Sequence, residues 1–308
     1  MPAKVILNPY ANRWKALERK AELEAALRGA GVEFELAITE RPRHGEELAE
    51  QAALEGYSPI VSAGGDGSIN EILNGIGRGA ALTGKPWVPM GVMPLGSAND
   101  FVDNLSLPRD LPGAAQVIAA GYTRAMDVCT ANGRFFGNNA AIGLEPFITL
   151  IQQEIHWLKG TPRYLLATLM GVQRNPQWQM QLEWDGGSYT GRTTLVTVGN
   201  NPRTGGLFYM TPHADPFDGK LTFVYAYMRT RSEILKLLPR TMKPGPGSYV
   251  EHPAVHEVHT TWLKVHSIEP TPAHTDGEIF DVQAHAIDYQ IIPGCLPVLL
   301  SPPGTPGV

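Results

Sequence analysis

The stretch Ile60-Val61-Ser62-Ala63-Gly64-Gly65-Asp66-Gly67-Ser68-Ile69-Asn70-Glu71 runs from β-branched apolar residues into glycines and then into a helix-forming segment. A strand that ends in a glycine turn and opens a helix offers backbone N–H groups and the positive end of a helix dipole to an anion. Asp66 inside that turn is placed to face a metal or a reacting hydroxyl. An ordinary βα turn capped by Asp66 also satisfies the pattern. So does a helix that starts at Ile69, with Ser68 as its N-cap and Glu71 completing a capping box, an arrangement compatible with phosphate binding.

Working outward, Val5-Ile6-Leu7 precedes a helical pattern over residues 14–28, ended by Gly29 and Gly31. Residues 34–38 alternate as a strand does, 46–54 read as a helix, and 59–61 form a third short strand. Strands separated by helices predict parallel βα units and an open, doubly wound α/β sheet. Ligands of such sheets sit beyond the carboxyl ends of the strands. Attention therefore goes to the turns after Leu7, Ile38, Val61 and Val92. From about Phe135 short strands (195–198, 221–225, 262–265) follow one another with helical patterns only at 162–172 and 232–238. A mainly antiparallel, sandwich-like second domain is expected. The boundaries read as 1–130 and 131–308, with a return of the extreme C-terminus to the first domain left open.

The chain has 308 residues, 43% of them apolar and 18% charged, with a net charge of −5. That is globular material, and it speaks against a protein that lives on nucleic acid, which requires clustered cations. Cys129 and Cys295 lie far apart without CxxC spacing, so neither a disulfide framework nor a zinc site is suggested and a reducing cytosol fits. No run of eighteen apolar residues appears.

A second turn, residues 88–101, carries Pro94-Leu95-Gly96-Ser97-Ala98-Asn99-Asp100-Phe101 at the end of another β-like stretch. With Gly64-Gly65-Asp66-Gly67-Ser68 and Asn70-Glu71, it resembles the catalytic domain of the diacylglycerol kinase family, whose marks are GGDGT, NE and PLGTANDF. Both departures replace Thr by Ser and keep the hydroxyl. The resemblance implies an ATP-dependent, Mg²⁺-requiring lipid kinase of cytoplasmic location with peripheral membrane association. It extends to Asn8-Pro9, with Lys15 downstream, where the usual glycine is replaced by Asn12-Arg13, and to Thr39 at the second strand's end. Nucleotide-binding positions carried over are Asn8, Pro9, Thr39, Gly64, Gly65, Asp66, Gly67, Ser68, Asn70, Glu71, Gly96, Ser97, Asn99 and Asp100.

Residues 136–145 resemble the segment entering the family's second domain, with Glu145 where an aspartate is usual. Residues 212–221 resemble its structural magnesium loop. The resemblance gives that loop the carboxylates of Asp215 and Asp218 and the carbonyl of Lys220 as ligands. His274-Thr275-Asp276-Gly277-Glu278 resembles the DGE segment near the proposed base, leaving Asp66, Asp276 and Glu278 as catalytic candidates. A carboxylate there can take a proton from the lipid hydroxyl.

Other features carry less. Residues 79–86 almost match a P-loop, but Pro86 replaces the metal-binding hydroxyl. His252, His256 and His259 read as surface or strand histidines. The cation-rich segment 229–243 reads as a solvated helix face, or as a contact for anionic membrane. A soluble acceptor such as NAD, and a silent nucleotide- or lipid-binding protein, are the rival functions. Homodimerisation is left open.

Overall fold

In the computed structural model, which describes residues 1–158 and 161–304, the chain divides into two units. The first is Met1–Val128 with described residues 293–304, and the second is Cys129–Ile292. The first contains β1 (Ala3–Leu7), α1 (Lys15–Glu18), α2 (Lys20–Gly29), β2 (Phe34–Ile38), α3 (His44–Glu55), β3 (Ile60–Gly64), α4 (Asp66–Thr83), β4 (Met90–Pro94), α5 (Asp100–Asn104), α6 (Leu111–Ala120) and most of β5 (Thr123–Ala131). The second contains β6 (Arg134–Phe136), β7 (Asn139–Gly143), α7 (Leu144–Glu154), α8 (Thr161–Arg174), β8 (Trp178–Trp184), β9 (Gly187–Thr193), β10 (Leu195–Gly199), β11 (Leu221–Ala226), α9 (Arg231–Leu237), β12 (Val255–Thr260), β13 (Trp262–Thr275) and the first part of β14 (Glu278–Leu299).

The first unit is a parallel sheet in the order β2-β1-β3-β4, extended by the end of β14, where Val298 pairs with Met90. The central strands β3 and β4 are buried along their whole length because helices cover both faces. Leu23 and Leu27 of α2 pack with Leu111, Ala115 and Ile118 of α6 over one face. On the other, α3 and α4 meet along a seam of small residues. A Cβ on Gly75 would lie 2.6 Å from Ala49 Cβ, and one on Gly79 would lie 2.7 Å from Ala53 Cβ. The expected doubly wound α/β class is what the chain adopts.

Local boundaries differ from the sequence reading. The helix expected over 14–28 starts late and breaks, because Asn12, Arg13 and Trp14 take positive φ (50°, 59° and 74°) and Arg19 interrupts the ladder. Asparagine tolerates this region better than other non-glycine residues, so Asn12 stands in for the missing glycine. The helix expected from Ile69 begins at Asp66, with Gly65 rather than Ser68 as N-cap. Residues 79–83, part of the P-loop look-alike, are the last turn of α4.

The second unit is an antiparallel sheet, β12-β11-β10-β7-β13-β14, with the β8–β9 hairpin attached through β13. Its core gathers Phe136, Val196, Val198, Phe223, Leu263, Val265 and Tyr289. Helix α7, absent from the sequence reading, follows β7 without a loop. Gly143 makes this possible: it sits at φ +104°, and a Cβ there would lie 3.0 Å from Thr194 O. β13 changes register between His266 and Thr271 and twice more before His274. Pro270 and Pro272 cannot donate to the ladder, so bulges form there. The bulged strand then pairs His274 with Ala141 of β7. The mainly antiparallel class holds for this unit. Neither Cys129 nor Cys295 is in a disulfide.

Candidate active site

In the first unit the turns singled out from sequence stand together at the carboxyl edge of the parallel sheet. Asn8 N–H donates to Ala63 O (3.0 Å), Thr39 N–H to Leu7 O (2.9 Å) and Leu95 N–H to Gly64 O (2.9 Å). Asn8, Thr39, Gly64 and Leu95 therefore lie at the ends of neighbouring strands. Between β1 and β3 the winding reverses, the position where open α/β sheets take ligands. Asn8 Nδ2 spans that crevice to Ser68 Oγ (2.9 Å), while Asn8 Oδ1 accepts from Tyr10 N–H (3.0 Å). Pro9 is buried behind the turn.

The two glycine turns touch backbone to backbone. A Cβ on Gly65 would sit 3.0 Å from Gly96 Cα, and one on Gly96 would overlap Gly65 Cα and lie 2.5 Å from Asn99 Oδ1. Gly64 has the same constraint: a Cβ there would come 2.5 Å from Ser68 Cβ. The first turn of α4, Asp66-Gly67-Ser68, starts at this junction. Asp66 ties the turns together, since its Oδ1 accepts the N–H of Phe101 (2.9 Å) in the first turn of α5. Asn99 holds φ +55° as N-cap of α5 and donates to Gly96 O (3.3 Å). Asn99 is 7% exposed, and its Oδ1 is buried with no hydrogen-bond partner. Ser97 Oγ reaches Asn12 Oδ1 (3.1 Å), Arg109 braces the turn through Ala98 O (3.1 Å), and Asp100 is buried.

Asn70 and Glu71 take other work. Asn70 is fully buried and bonded to Asn74 within α4. The Glu71 carboxylate accepts the N–H groups of Arg43 (3.0 Å) and Gly45 (2.9 Å) at the start of α3. It caps a neighbouring helix and not its own, so the capping box with Ser68 does not form. A carboxylate at a helix N-terminus gains from the dipole and from otherwise unpaired amides.

In the second unit, Asp276 sits at φ +47° with its oxygens accepting from Gly137 N–H (3.1 Å), Asn138 N–H (3.0 Å) and Asn139 N–H (2.9 Å). These three amides fasten the Asp276 carboxylate to the 137–139 turn. Glu278 is held differently: its side chain is 41% exposed and meets Arg134 Nη2 at 3.0 Å, while Arg134 Nε donates to Thr275 Oγ1 (2.9 Å). Arg134 was not singled out from sequence, and only the tertiary pairing identifies it. Asp127 was missed as well: it lies in β5, 3% exposed, and its Oδ1 accepts Gly294 N–H (2.7 Å). One acid inside the apolar run Met126-Asp127-Val128 was the available signal.

The 212–221 loop contains two Asx turns. Asp215 Oδ1 accepts Phe217 N–H (3.0 Å), Asp218 Oδ1 accepts Lys220 N–H (2.9 Å), and Gly219 takes φ +75°. The two carboxylates and the Lys220 carbonyl would offer oxygen donors only, which suits a hard cation such as Mg²⁺. Among the described residues, no group of three or more His, Cys, Asp or Glu side chains assembles for a metal. The loop's ligand count would therefore depend on the backbone carbonyl and water.

Comparison with known proteins decides the family. The diacylglycerol kinase catalytic domain matches residues 2–131, and the YegS C-terminal NAD kinase beta sandwich-like domain matches residues 138–300. The chain belongs to the diacylglycerol kinase family. Diacylglycerol kinases of Staphylococcus aureus strains bovine RF122 / ET3-1 and MRSA252 are each 28% identical to it over 281 residues, 90% of this chain and 85% of theirs. A crystal structure of a diacylglycerol kinase from Bacillus anthracis str. Sterne superposes with TM-score 0.71 at 19% identity, covering 98% of this chain and 97% of that one. Another solved chain from the same organism gives TM-score 0.79 at 19% identity, covering 98% and 95%. At these identities the structural likeness establishes the fold.

Proposed function

We propose that the protein is an ATP-dependent, Mg²⁺-requiring lipid kinase that phosphorylates the hydroxyl of a lipid such as diacylglycerol or a sphingoid base. The observation that carries this reading is the backbone contact of Gly65 with Gly96, which joins two glycine turns and the start of α4 in one cradle that side chains would fill. Such a cradle suits phosphate oxygens, and the unpaired Asn99 Oδ1 beside it awaits a donor. The bound nucleotide supplies the phosphoryl group, and Mg²⁺ neutralises its charge. Asp66 at the cradle's mouth would repel bare phosphate, which is why a cation there is needed. Asp215, Asp218 and the Lys220 carbonyl would hold a separate, structural ion. Glu278, steadied by Arg134, takes the proton of the acceptor hydroxyl. Phosphoryl transfer depends mainly on alignment and charge neutralisation, and rigid backbone turns provide both.

Exposed apolar and cationic side chains of the second unit suit contact with a bilayer that holds a lipid acceptor. On α8, Ala167, Thr168 and Gly171 face inward, while Leu165 and Leu169 are 46% and 53% exposed. These leucines face solvent, and the 147–151 segment lies within α7. Leu235 of α9 and Trp157 are exposed as well, and Arg231, Lys236 and Lys243 are exposed cations of the same unit. Arg240 is committed internally to Gly247 O (3.0 Å), Ser248 O (2.6 Å) and Glu251. Among the described residues no helix is long and apolar enough to cross a membrane, so bilayer contact would be peripheral.

Purified protein incubated with ATP, Mg²⁺ and mixed lipid vesicles, with products read by mass spectrometry, tests the function. A phosphorylated hydroxyl lipid is expected. Efficient phosphorylation of NAD with none of any lipid would replace this reading by the second one, which the NAD kinase-like sandwich of the second domain favours. Arg231→Gln with Lys236→Gln should weaken binding to anionic vesicles about 30-fold at low salt, at about 1 kcal/mol per near-surface cation. ATP affinity should stay unchanged. Equal binding of wild type to neutral and anionic vesicles would defeat the docking idea.

The metal loop gives a separate expectation. Asp218→Ala should lower both the melting temperature and the activity, with part of each restored by excess Mg²⁺. Indifference of both to the substitution and to Mg²⁺ would reduce the loop to a turn.

A further inference from the structure

Behind the 276–278 turn lies a buried polar cluster that the reading above does not use. Asn139, 2% exposed at the start of β7, commits its backbone and side chain together. Its N–H donates to Asp276 Oδ1 (2.9 Å), its carbonyl accepts Asp276 N–H (2.7 Å), its Oδ1 accepts from Thr204 Oγ1 (2.9 Å), and its Nδ2 donates to Glu145 Oε1 (3.0 Å). His274 Nε2 faces the same Glu145 oxygen at 3.2 Å, with the two side chains 2% and 13% exposed. The other atoms of this pair, Glu145 Oε2 and His274 Nδ1, are buried without a hydrogen-bond partner.

A buried polar atom left unpaired is destabilising, and more so when charged. Stability alone does not call for a carboxylate in this place, because burying a polar group costs free energy unless it is fully hydrogen-bonded. What the carboxylate does accomplish is geometric. It fixes which way the Asn139 amide points, and Asn139 in turn grips Asp276 from both sides of the backbone. Burial, reinforced by the Glu145 charge, raises the phenols of Tyr164, Tyr249 and Tyr289 above their ordinary value. The carboxylate therefore acts within an interior of low polarity, where such orientation is strong.

We infer that Glu145, braced by His274, is a positioning residue that holds the 276–278 turn, and with it the Glu278 carboxylate, in one place through Asn139. The inference rests on the assignment of Glu278 to the acceptor hydroxyl, but the position of the turn is measurable without any assay. In Glu145→Gln, which keeps the shape and removes the charge, amide exchange at Asp276 and at 137–139 should speed up at least about tenfold, with β1 and β3 unchanged. In the same variant kcat should fall about tenfold at unaltered KM for ATP. The double variant Glu145→Gln with Glu278→Gln should be no slower than Glu278→Gln alone, because a residue that acts through another adds nothing once that other is gone.

Unchanged exchange at Asp276, or losses that multiply in the double variant, would overturn the inference. Should Glu145→Gln not fold, His274→Gln removes the brace from the other side and is expected to loosen the same amides. A wild-type protein that phosphorylates no acceptor would sink the functional reading, and the exchange experiment would still decide the positioning role.

Discussion

Asp66→Asn is expected to reduce phosphoryl transfer at least about a hundredfold while leaving the melting temperature nearly unchanged. Asp66 does two things that this substitution separates. Its Oδ1 caps the N–H of Phe101 at 2.9 Å, and its charge stands in the first turn of an 18-residue helix at the edge of the glycine cradle. Asparagine retains a carbonyl oxygen for Phe101 and loses only the charge, whose favourable interaction with the helix dipole is about 0.3–1 kcal/mol. Catalysis would lose the group proposed to meet the cation, and removal of one preorganised electrostatic partner costs about 10²–10³ in rate. Asp66→Ala should match the activity loss and add about 1–3 kcal/mol of destabilisation, because Phe101 N–H is left unpaired. A folded Asp66→Asn protein with near-normal turnover would remove Asp66 from the mechanism.

Gly96→Ala should damage both stability and nucleotide binding. The new methyl would overlap Gly65 Cα and press on Asn99 Oδ1 at 2.5 Å, and neither neighbour yields without moving a turn. Overpacking of this kind costs about 1–3 kcal/mol. Separation of the two turns also removes the close approach that a phosphate requires, so ATP affinity should fall at least about tenfold, measured by calorimetry alongside thermal melting. Gly29→Ala is the control, since a Cβ there meets nothing within 4 Å and alanine favours the helix end it occupies. Equal ATP affinity in wild type and Gly96→Ala would show that the contact of the two turns is structural only.

Much of the fold was legible before any coordinates. The alternation of β-branched runs with helical patterns over the first 130 residues gives a parallel sheet, because a strand that continues into a helix must cross over before it can pair again. Closely spaced short strands marked the antiparallel second unit. What was lost there was α7, since its segment follows β7 with no punctuation except Gly143, whose φ of +104° is not visible as a helix boundary in one sequence. The glycine turns were legible as a site because their chemistry is local: a strand, glycines without side chains, then a helix start.

The jobs of the individual acids were not legible, and this divides what sequence determines from what tertiary structure decides. Asp66, Asp276 and Glu278 were read as catalytic candidates, and Glu71 as a nucleotide-binding position. The folded chain sends Asp66 to Phe101, 35 residues on, Glu71 to the start of α3, 28 residues back at Arg43, and Asp276 to the 137–139 turn, up to 139 residues away. Glu278 meets Arg134, 144 residues away. Local propensity and turn chemistry act over a few residues, so they mark most element types and each glycine turn from sequence alone. The partner of a buried carboxylate depends on strand order, on the bulges of β13 and on which helix ends arrive beside it. Those pairings come into being only when the sheets close and each buried polar group must find its hydrogen bonds inside the protein.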